Sequence, residues 1–94
     1  MFLNSTLTPI SHERTYKPTP HMMRVEADVN FKLYGKRPTD GGYKFIHELI
    51  VDALRAHDSD RDAANSLDMF PPTFSHWIAR CNLVGIAAEI RAQR

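Results

Sequence analysis

Two adjacent prolines, Pro71-Pro72, separate two apolar stripes in the stretch DAANSLDMFPPTFSHWIARCNL. A proline pair breaks a helix interior, yet the first turn of a helix does not need the amide protons that proline lacks. One helix must therefore end before Pro71 and another begin there. Phe74, Trp77, Ile78 and Cys81 then recur at helical spacing, which predicts a helix over 71–81 with an apolar inner side. Asn82 suits the left-handed residue that closes it.

The residues upstream supply the preceding helices. Ser59 is a good N-cap, with Asp60 and Asp62 in the first turn, where negative charge suits the helix dipole. Ala63, Ala64 and Leu67 face inward on this short helix, which ends near Asp68. Before it, Phe45, Ile46, Leu49, Ile50, Ala53 and Leu54 form an apolar stripe, predicting a helix over 43–56. Beyond Leu83, LVGIAAEIRAQR reads as a short last helix with Leu83, Ile86 and Ile90 on one side.

The N-terminal half reads differently. In MMRVEADVNFKLY, Met23, Val25, Ala27, Val29, Phe31 and Leu33 alternate with polar residues, which predicts a strand over 22–34. A lone strand needs a neighbour. FLNSTL near the start is one candidate; a second copy of the chain, forming a two-stranded ribbon across a dimer axis, is the other. Residues 1–21, broken by Pro9, Pro18 and Pro20, read as a flexible arm. The expected fold is thus mainly α with one N-terminal β-strand. It comprises an arm over 1–21 and one domain over 22–94, with the helix-turn-helix region at 43–83, an extension at 84–94 and a strand-mediated dimer.

Ninety-four residues make one small domain. A single cysteine, Cys81, rules out an internal disulfide. No secretory leader pattern and no membrane-length apolar run occurs, so a cytoplasmic protein without membrane contact is expected. Net charge is +1, but it is uneven. Residues 1–43 hold six Lys/Arg against four Asp/Glu, and residues 44–94 hold six against seven. No acid lies between Asp68 and Glu89, so the helix opened by the prolines carries no charge that repels a phosphate.

The string ALRAHDSDRDAANSLDMFPPTFSHWIARCNL resembles the C-terminal helix-turn-helix of the Fis family, over about forty residues from 46 to 83. Ser59 stands at the capping position. Ala63-Ala64 sit where the second helix packs on the third. Leu67 and Met69 flank the turn, Thr73-Phe74 open the third helix, and Ile78 and Leu83 anchor it. Asp58 and Asp68 stand where that family has glycines.

The resemblance implies a DNA-binding transcriptional regulator acting as a homodimer, its third helix in the major groove of double-stranded DNA. Thr73, Ser75 and His76 would meet base edges, Arg80 a phosphate or guanine, and Arg61 the DNA backbone. Arg14, Lys17, Arg24, Lys36 and Arg37 are further candidates for phosphate contacts. The competing expectation is a protein-interaction module with the same fold and no DNA affinity, favoured by the acidic C-terminal half. No nucleophile–base pair, phosphate loop or carboxylate pair points to an enzyme. No cofactor is implied, and His47, His57, Asp58, Asp60 and Asp62 match no metal motif.

Overall fold

The computed structural model describes residues 12–94. They form five helices: α1 (Pro20–Tyr34), α2 (Ile46–Ala56), α3 (Asp60–Ser66), α4 (Pro71–Arg80) and α5 (Val84–Ala92). The fold is mainly helical, and no strand occurs among the described residues.

α2 is the hub, packing against each of the other four helices. Its Ile46, Leu49, Ile50, Val51 and Leu54 are almost completely buried, so three of its sides meet protein. Ala63 and Ala64 on α3 are fully buried, and their small side chains let α3 close on α2. Ser59 caps α3, its Oγ accepting from the Asp62 amide at 3.1 Å. Asp68 takes the left-handed conformation (φ 55°) in the turn, and the Met69 amide donates back to the Ala64 carbonyl at 3.0 Å. Pro71 and Pro72 open α4. Asn82 (φ 60°) ends it, and the Leu83 amide donates to the Ile78 carbonyl at 2.8 Å. α5 returns across α2 with Ala87 and Ile90 buried.

Residues 22–34, expected as a strand, lie within α1. Thr19 caps this helix, its Oγ1 accepting from the Met22 amide at 3.1 Å, and Pro20 begins it. Gly35 (φ 63°) closes it in the left-handed region that favours glycine. Its buried residues are Met22, Glu26, Val29 and Asn30, a spacing of i, i+4, i+7 and i+8. Two of those four are polar, so the helical stripe is hidden, while the exposed Met23, Phe31 and Leu33 complete the apparent alternation. With this segment helical, the dimer ribbon loses its strand. FLNSTL, its other proposed neighbour, lies outside the described residues.

The expected arm also divides. Residues 1–11 lie outside the described part. Residues 12–19 lie against α1 and α2, and Pro20 and His21 belong to α1. The cause is a polar cluster that short-range sequence patterns do not signal. The Glu26 carboxylate, fully buried, receives both Arg14 guanidinium nitrogens at 2.8 Å. It also accepts from the Tyr43 hydroxyl at 2.8 Å and the Ile46 amide at 2.6 Å. The Arg14 guanidinium stacks 4.1 Å from the Phe45 ring centroid. Asn30 joins α1 to the start of α2 by donating to the Lys44 carbonyl at 2.7 Å and accepting from its amide at 2.8 Å. Among the described residues no buried polar side chain lacks a hydrogen-bond partner.

Candidate nucleic-acid interface

α4 is divided lengthwise. Phe74, Trp77, Ile78 and Cys81 are buried along one side, as the sequence predicts. Ser75, His76, Ala79 and Arg80 are exposed on the other. Three of the expected DNA-contacting residues, Ser75, His76 and Arg80, thus share the outer side of one helix. Thr73 is half-buried at its edge, in a cleft of about 170 Å³ between α1 and α4. Arg61 is exposed on α3 rather than on this side, with Asp60 and Asp62 as its chain neighbours.

One residue was missed. Phe70, the N-cap of α4, is 80% exposed. The signal was present, since a residue before a proline is held extended and outside the helix. Its ring projects at the leading end of α4, where the helix N-terminus would meet bases.

A second element runs beside α4. The Asn82 side chain reaches the Thr15 carbonyl at 3.3 Å. Tyr16 lies close to the Cys81 thiol, and its hydroxyl is 2.7 Å from His47 Nδ1. His21 sets its ring edge-on to Trp77, with centroids 5.1 Å apart. Val25 shares the cleft of Phe70 and Thr73. Residues 15–25 thus follow one flank of α4 in the opposite direction, from its C-terminal to its N-terminal end.

The electrostatics separate cations spent on structure from those facing water. Burial would lower the Arg14 pKa, but Glu26 outweighs it and the net shift is upward. Arg14 is therefore a structural cation, not a phosphate ligand. Arg91 and Arg94 hold Asp60 with oxygens at 2.6 and 2.8 Å, and Arg91 foremost draws its pKa below the usual value. Lys44 is paired with Asp52 at 2.6 Å and Lys32 with Asp68. Lys36 and Arg37 follow the C-terminal end of α1, roughly 21 Å from its start at 1.5 Å per residue. Burial pushes the Cys81 thiol up to about 11 and the Tyr16 phenol up to about 12, so both are neutral at pH 7.

Among the described residues no three His, Cys, Asp or Glu side chains group as metal ligands, and no helix is long and apolar enough to cross a membrane. Asp60 is engaged by its arginines, and His47 by Tyr16. Comparison with protein-family models, curated proteins and solved structures returns no match, so the Fis-type resemblance rests on the residues themselves.

Proposed function

We propose that this chain is a sequence-specific DNA-binding regulatory protein that sets α4 into the major groove. The observation that carries the reading is the division of α4. Its core side is filled by Phe74, Trp77 and Ile78, and its outer side offers Ser75, His76 and Arg80 with no acid. A helix fits the major groove, where hydrogen-bond donors and acceptors distinguish all four base pairs. Ser75 and His76 take base edges, Arg80 a guanine or phosphate, Thr73 the groove margin, and Phe70 a thymine methyl. Arg61 at the start of α3 reaches the backbone of the DNA. The order α2–α3–α4, with capped α3 and a tight turn, supports the Fis-type resemblance.

Few cations face the duplex from one copy, so a dimer placing two α4 helices roughly 34 Å apart is the form expected to bind tightly. Binding selection from random duplexes tests the reading. A two-fold symmetric consensus is expected. His76→Ala should relax preference at one position by about 1–3 kcal/mol, and Arg80→Ala should weaken binding. Enrichment of no sequence, together with no duplex binding at low salt, rejects it.

One observation favours the alternative, a protein-interaction module. Met23, Phe31 and Tyr34 line one side of α1 and are 43%, 63% and 43% exposed. Such a row suits a protein partner or a second copy. Recovery of a partner that Phe31→Ser abolishes, with DNA binding absent, selects that reading.

A further inference from the structure

Taking the DNA reading as its basis, we infer that residues 15–25 form a phosphate-binding rail along α4, in which Lys17, His21 and Arg24 grip one strand of the duplex beside the groove that α4 enters. Two side-chain contacts and a shared cleft place the rail: Thr15 to Asn82, His21 to Trp77, and Val25 across a cleft from Thr73 and Phe70. The chain therefore passes the C-terminal end, the middle and the start of α4 in turn. Lys17 follows the Thr15 and Tyr16 anchors, His21 lies at the middle, and Arg24 adjoins Val25 on α1. All three are exposed. On α4 itself, Thr73 and Arg80 lie towards the Trp77 edge that His21 touches, as helical geometry requires of positions three and four apart.

The dimensions match. An α-helix with side chains is about 10–12 Å across, and the major groove is about 12 Å wide. A helix seated there fills the groove, so an element on its flank meets the bordering phosphates rather than bases. Lysine and arginine there neutralise phosphate, and imidazole donates an N–H. Two acids are near. Asp68 is paired with Lys32, and Asp28 lines the adjoining cleft with Lys32, Leu67 and Asp68. The rail divides the six basic residues of the N-terminal half into Lys17 and Arg24, which serve DNA, Arg14 and Lys32, which are held by Glu26 and Asp68, and Lys36 and Arg37 beyond the far end of α1.

Salt-dependent binding provides the test. Each phosphate contact contributes about −0.9 to the slope of log affinity against log salt. The full chain and Lys17→Ala/Arg24→Ala are titrated onto the selected duplex at several salt concentrations, with circular dichroism confirming equal helix content. The double variant should reduce the slope by about two and leave the preferred sequence unchanged. The pair Lys36→Ala/Arg37→Ala makes the same charge change at the other end of α1 and should keep the original slope. An unchanged slope in Lys17→Ala/Arg24→Ala, while Arg80→Ala still weakens binding, overturns the rail and leaves the α4 reading standing. Equal losses in both pairs overturn it in favour of a general charge effect. Absence of DNA binding by the unaltered chain overturns the α4 reading and the rail together.

Discussion

Arg14 and Glu26 form a two-pronged ion pair, each guanidinium nitrogen 2.8 Å from its own carboxylate oxygen, with Glu26 wholly inside the protein. Removing one partner of a buried pair leaves the other uncompensated, at a cost of about 3–5 kcal/mol. Glu26→Ala also strips acceptors from the Tyr43 hydroxyl and the Ile46 amide. We therefore expect it to lower unfolding stability by at least that range in a urea titration. A loss under 1 kcal/mol would show that the pair is not what seats α1.

Asn82 tests the end of α4. It holds a left-handed backbone (φ 60°), and its short polar side chain also donates to the Thr15 carbonyl. Asn82→Ala places a Cβ-bearing residue without that side-chain help in the same geometry, costing about 1–2 kcal/mol. Asn82→Gly should recover most of this, since glycine adopts the conformation freely. Equal thermal midpoints for the two variants would contradict the assignment.

Asp60 links the start of α3 to the C-terminal end of the chain through Arg91 and Arg94. Its folded pKa lies below the ordinary 3.8, chiefly through Arg91. Its stabilising contribution is therefore present above that value and is lost as pH falls through the folded pKa. Asp60→Asn should be less stable than the unaltered chain at pH 7, by about 1 kcal/mol or less for so exposed a network. The two stability curves should converge as the solution becomes strongly acidic. A gap that persists at pH 2 would place the effect outside titration.

Cys81, Tyr16 and Tyr43 together shape the alkaline limit. Burial raises the thiol from 9.0 to about 11 and the Tyr16 phenol from 10.0 to about 12. Burial, with Glu26, pushes the Tyr43 phenol up as well. The unfolded chain releases these protons first, so stability should decline as pH rises from about 9 through about 12. Cys81→Ala should flatten the early part of that decline. The thiol should also resist alkylation at pH 7 in the native protein and react in denaturant. Rapid labelling of the native thiol would mean that the contact with residues 15–16 opens readily.

The elements around α4 were legible because their signals are local. The proline pair fixes where α4 begins, Ser59 caps α3, and the stripes of α2 and α4 are apolar throughout. The outer side of α4 followed from the same helical spacing, which places Ser75, His76 and Arg80 opposite Phe74 and Ile78. α1 was illegible because Glu26 and Asn30 occupy buried positions, and their partners come from residue 14 and from residues 43–46. The placing of Lys17 and His21 was hidden for a similar reason. It depends on Asn82 and Trp77, more than fifty residues along the chain.

Glu26 makes residues 12–19 part of the domain rather than an attachment to it. A protease nick just after Arg14, or a gene trimmed to begin at α1, removes the counter-ion while leaving the carboxylate enclosed. Such a shortened chain must then bind a proton, admit water or loosen α1. Residues 12–19 are thus, in energetic terms, a piece of the interior that they help to enclose.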